Sequence, residues 1–321
     1  MYKNKRVLLI AGGGTLGSYV AKELLSKGAT VEIICPEEKE SYCDQLIFHR
    51  SMVSKELLSD LFSNKHYDGI VNFIHYEDVN EYKEIHPLLI ENTDHLIFLS
   101  TYRVYANESH PVTEEAPRLL DVIKDDFFLN NENYAVPKAK AENYLRSECK
   151  GQPWTIVRPV ISFSQYRIDL LMYSGDRLLR AAERGEELLL PELVRNYKAG
   201  LDWAGNSGKI IANLLFKPEV IGEAYTIYSG QGLTWGEIAE IYEKLIGLKV
   251  RWCKEEEYLK YHTDIQTNQS THWGYWYDRR YNRDIVCSKV LKATGLTKDD
   301  FSSIEDGIKI ELKNCGYKVE G

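Results

Sequence analysis

The first half of the chain alternates short apolar runs with amphipathic stretches. RVLLI (6–10) is uniformly apolar after its first residue and reads as a buried strand. A glycine cluster follows. GSYVAKELLSKG then completes a helical spacing of Leu16, Val20 and Leu24, with Gly28 as the helix stop. TVEIIC (30–35) and QLIFH (45–49) predict two further strands, and SKELLSDLF (54–62) predicts a short amphipathic helix. DGIVNFIHY (68–76) and HLIFLS (95–100) predict two more strands, separated by a helical stretch around 80–91. WTIVRPV (154–160) predicts another, preceded by a helix carrying Tyr134 and Lys138. Runs this apolar have no face left for water. Strands of that kind alternating with helices predict right-handed β-α-β units and a parallel sheet covered on both faces.

After about residue 160 the alternation weakens. DRLLRAAERGE and NSGKIIANLLF are helical, and AYTIY (224–228) is a strand. LTWGEIAEIYEKLIG (233–247) opens on a capping box, Thr234-x-x-Glu237, and ends at a glycine. The expected organisation is a nucleotide-binding region over 1–160. A smaller α+β substrate-binding region over 161–321 follows, with room for strands or helices that return to the first.

Composition narrows the partners. The 321 residues carry 40 Lys and Arg against 48 Asp and Glu, a net charge of −8. An acidic chain argues against nucleic acid and against an anionic membrane surface as partner. No apolar run approaches the roughly 20 residues that span a bilayer. The six cysteines (35, 43, 149, 253, 287 and 315) form no C-x-x-C pair and no zinc-finger spacing. They read as reduced thiols of a cytoplasmic protein, and no metal site is expected.

The first chemical signal is Gly12-x-Gly14-x-x-Gly17, lying between a predicted strand and a predicted helix. Gly12 permits the tight turn, Gly14 a close backbone approach to a pyrophosphate, and Gly17 helix–strand packing. The helix N-terminus, with Thr15 and Leu16, offers free N–H groups to phosphate. The fold class is therefore α/β, a Rossmann-type doubly wound sheet with a smaller α+β region. At the end of the second strand an acid usually binds the ribose hydroxyls. That position is Cys35, followed by Pro36, Glu37 and Glu38. The nearby acids favour NAD over NADP, and Arg50 after the third strand would reverse the choice if it folded toward the adenosine.

The second signal is Tyr134-x-x-x-Lys138. On a helix the two side chains share a face, about one turn apart. Alone the spacing says little. Together with the glycine turn, FLSTYRVYA (98–106) at a strand end and VRPV (157–160) on the next strand, it resembles the extended short-chain dehydrogenase/reductases, the NAD-dependent epimerase/dehydratase family. GEAYTIYSGQGLTWGEIAEIYEKLIG also looks like that family's C-terminal half. The resemblance implies roles: Tyr134 as general acid/base, Lys138 on the nicotinamide ribose and favouring the tyrosinate, and Thr101 bonding the reacting oxygen, with Ser100 its neighbour. It also implies cofactor contacts at His75 and Val160, and a homodimer.

Several positions depart from that pattern. Tyr102 and Arg103 stand where sugar-nucleotide dehydratases carry Asp-Glu, and Ile161 stands where many epimerases have Asn. LDWAGNSGK (201–209) replaces the usual stretch before a C-terminal helix. Pro137 predicts a helix starting between Asn133 and Val136, so that it falls in the first turn. THWGYWYDRRYNRD (271–284) has an apolar period that fits no regular element and reads as a substrate-capping segment. Its aromatics would stack on sugar or base, while Arg279, Arg280 or Arg283 pairs with an anion. Substrate candidates are thus Thr101, Tyr102, Arg103, Phe163, Arg167, Trp203, Trp273, Trp276 and Arg280. The expected function is an NAD(P)-dependent epimerase of a sugar or nucleotide sugar, working through a keto intermediate. A reductase or dehydrogenase of another carbonyl compound is the alternative. A non-catalytic dinucleotide-sensing or RNA-associated protein is a third reading, disfavoured by the acidic charge.

Overall fold

Six strands of the first half pair in parallel: β1 (Arg6–Ile10), β2 (Thr30–Cys35), β3 (Leu46–Arg50), β4 (Gly69–Asn72), β5 (Leu96–Leu99) and β6 (Trp154–Pro159). A seventh strand, Ala224–Ile227, joins β6 in parallel, giving the order β3-β2-β1-β4-β5-β6 and then that strand. The computed structural model describes residues 2–165 and 167–317; the outer ends of the two expected regions, Met1 and 318–321, lie outside the described residues.

Both faces of the inner strands β1, β2, β4, β5 and β6 are buried, which is why their runs are so apolar, whereas the edge strand β3 is partly exposed. Val7 and Leu9 of β1 and Ile33 of β2 point to one face, under Val20, Ala21 and Leu24 of α1 (Thr15–Ser26). Leu8, Ile10 and Ile34 point to the other. There they meet Leu58 of α2 (Lys55–Phe62), Leu89 of α3 (Val79–Ile90) and, beyond two short helices α4 (Leu119–Val122) and α5 (Asp126–Asn131), Leu145 of α6 (Ala135–Glu148). Each such aliphatic side chain taken fully out of water stabilises the fold by about 1.5–3 kcal/mol.

The second half is not a separate lobe. Helix Ala204–Leu214 lies against α1 through Ile210, Ile211 and Leu214. The approach depends on Gly208, where an added Cβ would stand 2.7 Å from the backbone of Tyr19. Residues 204–214 and 224–227 therefore complete the sheet and its cover, so residue 160 does not divide the chain in space. The remainder packs over the strand ends on a core of its own. It includes a parallel pair, Glu187–Pro191 with Lys249–Cys253, and helix Trp235–Ile246. That helix opens on the expected box, with Glu237 N–H donating to Thr234 Oγ1 at 3.2 Å and Thr234 N–H to Glu237 Oε2 at 2.7 Å.

Two stretches differ from expectation. The strand expected over 68–76 ends at Asn72, because the Ile74 N–H turns back to the Asn72 side chain at 3.1 Å. Residues 271–284 are largely regular: helix Gln269–Gly274 runs into a π-helical turn, Tyr275–Arg279. The wider turn shifts the phase of the apolar positions and hides their period.

Candidate active site

Parallel strands open a crevice at their C-terminal ends where the order reverses, here between β1 and β4. A cavity of about 360 Å³ lies there. It brings together Gly14, Thr15, Leu16 and Gly17 of the turn, Ser100, Thr101, Tyr102 and Arg103 after β5, Tyr134 at the start of α6, and Val160 and Arg167 after β6. Ala11, Phe73, Leu99, Pro159, Ile161, Ser162 and Arg279 complete its wall.

The turn is built for close approach. A Cβ on Gly17 would stand 2.2 Å from the Gly12 carbonyl oxygen, whereas one on Gly14 would meet nothing within 4 Å. The backbone is thus crowded inward and open outward. Gly14 is the N-cap of α1 and supplies no side chain to the first N–H groups, which remain able to hold phosphate. These residues fit a dinucleotide pyrophosphate. Ala11, which the sequence did not single out, holds a left-handed φ of +55° at the β1 end of the turn. An alanine there is strained in a way a glycine would not be.

Cys35 is buried beneath Gly13, and the carboxylate that comes up beside the turn belongs to Glu37, with Oε2 2.9 Å from where a Gly13 Cβ would stand. Lys39 donates to the Gly13 carbonyl. Arg50 is paired with Glu38 at 2.8 Å on the surface. The carboxylate nearest the turn thus stands two residues past Cys35, with the Lys39 ammonium on the same glycine.

Tyr134 is the N-cap residue of α6, and Pro137 falls within the first turn, where its missing N–H costs no helical bond. The Glu132 carboxylate accepts from the N–H groups of Tyr134 (3.1 Å) and Val136 (2.8 Å) and fixes the helix start. The Tyr134 ring lies 5.0 Å from the His75 ring and 4.9 Å from the Arg103 guanidinium carbon. His75 donates through Nε2 to the Asn133 carbonyl at 2.6 Å. Burial, and secondarily Lys138, hold its pKa below the ordinary value, so it stays neutral. Thr101 Oγ1 accepts from the Arg103 N–H at 3.2 Å, which leaves its own proton to donate.

Lys138 stands behind the cleft rather than in its wall. It is buried and donates to the Leu99 carbonyl at 2.5 Å. Burial pulls its pKa down to about 7, against the opposing pull of Glu142 one turn along. An unfolded lysine titrates near 10.5, so between pH 7 and 10.5 the native state binds fewer protons than the unfolded one and stability rises with pH. The cost of the buried charge, on the order of several kcal/mol, is fully present below pH 7. Lys138→Met should therefore melt above the wild type at pH 6, with the gap shrinking toward pH 10; a gap independent of pH would show that Lys138 does not titrate in this way.

Ser100 lines the cleft, but its hydroxyl donates inward to Glu142 at 2.5 Å. Glu142 has no exposed surface and is gripped by Arg158 (2.6 and 2.8 Å) and Arg118 (3.2 Å). Burial alone would raise its pKa, but the Arg158 charge, the hydrogen bonds from Arg158 and Ser100 and the Arg118 charge together outweigh this and hold it below the ordinary value. This buried network ties the end of β5 to α6 and β6.

Five substrate candidates, Phe163, Trp203, Trp273, Trp276 and Arg280, lie elsewhere. Phe163 is buried in the core, facing Gly307. Trp203 donates through Nε1 to Glu311 at 2.6 Å, edge-on to Tyr19. Trp273 packs on Phe127 and Phe128. Trp276 lies under Arg280, which is itself bound to Glu255 at 2.7 Å. Of the arginines in 271–284, Arg279 is the one that reaches the cleft. It donates to the Tyr102 hydroxyl (2.9 Å) and Asp278 (2.6 Å). Asp278 was missed by sequence reading; burial would raise its pKa, but Arg279, Arg103 and Arg283 bring it down to about 2.

No family model matches the chain, and no curated protein does. Solved structures do match over nearly its full length. The epimerase Mth375 from Methanothermobacter thermautotrophicus is 16% identical, covering 97% of this chain and 92% of that one, with a TM-score of 0.67. The UDP-glucuronic acid 4-epimerase from Bacillus cereus, in complex with UDP-glucuronic acid and NAD, is 16% identical over 97% and 99%, with a TM-score of 0.67. The terminal R domain of the myxalamid PKS-NRPS biosynthetic pathway is 18% identical over 97% and 90%, with a TM-score of 0.66. The chain has the Rossmann-type fold of these structures. At these identities the likeness speaks to fold, and chemistry rests on the cleft itself.

Proposed function

We propose that the protein is an NAD-dependent enzyme that epimerises a hydroxyl-bearing carbon of a sugar or sugar derivative through a keto intermediate. One observation carries this reading: the glycine turn, the Thr101 hydroxyl and the Tyr134 side chain line a single cleft. Bound NAD supplies the acceptor, and then the donor, of a hydride. Tyr134 as phenolate takes the substrate hydroxyl proton as the carbinol hydride leaves, and a ketone results. Thr101 donates to the same oxygen. The ketone turns over, its oxygen takes the proton back from Tyr134, and its opposite carbon face would receive the hydride back from the bound cofactor, so atoms and electrons balance with no net redox change. Lys138 stands one helical turn from Tyr134, behind the cleft, on the Leu99 carbonyl.

The Bacillus cereus structure, which holds UDP-glucuronic acid and NAD, supports NAD and a sugar nucleotide as working candidates. Glu37 beside the turn supports NAD over NADP, since a carboxylate repels a 2′-phosphate. The cysteines, all free among the described residues, agree with a reducing compartment. The test is mass spectrometry of whatever the purified protein releases on denaturation, alongside titration with NAD⁺ and NADP⁺. Retained NAD is the expected result. If neither dinucleotide binds at millimolar concentration, the reading fails.

A further inference from the structure

The cleft does not end at Tyr134. Arg103, Arg167 and Arg279 stand at its junction with a second recess of about 170 Å³, walled by Asp169, Asp278 and Tyr173. Their hydrogen bonds are unequal. Arg279 is fully engaged: Nε donates to the Leu171 carbonyl (2.9 Å), and its other nitrogens donate to Tyr102, Asp278 and Asp169. Arg283, behind it, donates to the Tyr105 carbonyl (3.0 Å) and Asp278 (3.2 Å). Arg167 holds Asp169 at 2.8 Å and is half-exposed. Arg103 is different. Its nearest carboxylate oxygens are 3.5 Å away on Asp278 and 3.9 Å away on Glu132. Its Nε is buried with no hydrogen-bond partner among the described residues; the same is true of Arg283 Nε, but Arg283 is held through its other two nitrogens.

The charges do not cancel. Arg103, Arg167, Arg279 and Arg283 face Asp169, Asp278 and Glu132. One positive charge is left over, and Glu132 is partly committed to the N–H groups of α6. A mostly enclosed guanidinium with an unused donor is an incomplete ion pair, and a bidentate anion completes it. Its guanidinium carbon lies 4.9 Å from the Tyr134 ring centre, so that anion would sit beside the reacting group.

We propose that the substrate carries a carboxylate or phosphate on or next to the reacting carbon, and that Arg103 binds it, with Arg167 contributing at the opening. This rests on the cleft being the catalytic site. It narrows the substrate class: a diphosphate that stands across a sugar ring from the reacting carbon is too remote to meet a guanidinium stacked on the phenol. Hydroxy acids, uronic acids and phosphorylated hydroxy compounds place their charge correctly.

Calorimetric titration of the full chain with glycerate, glycerol 1-phosphate and glycerol, with and without NAD, tests this and separates the two anions. One charged probe should bind at least about tenfold tighter than glycerol. Arg103→Gln should erase that preference, Arg103→Lys should keep part of it, and Arg167→Gln should weaken it about threefold or more. Equal binding of glycerol and both anions, or an undiminished anion preference in a folded Arg103→Gln, overturns the proposal. Should Arg103→Gln not fold, an unchanged preference in Arg167→Gln overturns it. Anion binding without NAD binding would sink the cofactor reading and with it the reacting carbon, leaving only an anion site at Arg103; NAD binding without anion preference would overturn this proposal and leave the cofactor reading standing.

Discussion

Tyr134→Phe is expected to lower turnover by about 10²–10⁴-fold while leaving NAD affinity unchanged. The substitution is clean because the hydroxyl does not hold the residue in place. Glu132 fixes the backbone through the N–H groups of Tyr134 and Val136, and the ring contacts with His75 and Arg103 use its faces and edge. Phenylalanine keeps all of these and loses only the proton-exchanging group. The loss should appear in kcat, because proton transfer belongs to the transition state and not to ground-state binding. The rate is read with whichever hydroxy compound the wild type turns over in a panel, and NAD binding by calorimetry. A variant that turns over as fast as the wild type would remove Tyr134 from the chemistry. A variant that also loses NAD would mean that the substitution disturbed the cleft.

What was legible in the sequence was what is local. β1 and β2 occupy the residues whose apolar runs announced them, because a strand buried on both faces needs nothing beyond its own run and two turns. The glycine turn, Thr101 and Tyr134 were legible for a similar reason: each sits in a contiguous motif whose geometry is set within a few residues. The arginine–aspartate cluster was not. Tyr102 meets Asp278 across 176 residues, and no periodicity connects them. The π-helical turn over 275–279 further concealed which arginine of that segment faces inward, so Arg280 was favoured and Arg279 is the one in the cleft. Aromatic residues misled for another reason. A large ring is as good at filling a core as at stacking on a sugar, and Phe163 and Trp273 do the former.

Glu142 carries the largest expected effect on stability. Its carboxylate accepts from Ser100, Arg118 and Arg158, and Arg158 is itself buried, with its remaining donors on the Tyr105 hydroxyl and the Glu114 carbonyl. Glu142→Ala leaves the Arg158 charge buried without its counterion, which costs about 3–5 kcal/mol. The sign of the pH dependence follows from the depressed native pKa. The ionised pair stabilises the fold at neutral pH, and that contribution is lost as pH falls below the unfolded carboxylate value toward the native one. The wild type should therefore lose stability on acidification through this pair, and Glu142→Ala should lose less. Replacing both partners by apolar residues, as in Glu142→Leu with Arg158→Met, should recover most of the loss, since it removes the unpaired charge rather than creating one. Urea unfolding of the wild type and the two variants at pH 7 and pH 4 reads all of this. If the double variant is stable yet slow in catalysis, the pair holds Ser100 and Lys138 for the reaction. If it is stable and fully active, the pair serves the fold alone. If Glu142→Ala is as stable as the wild type, the buried pair is not intact in solution.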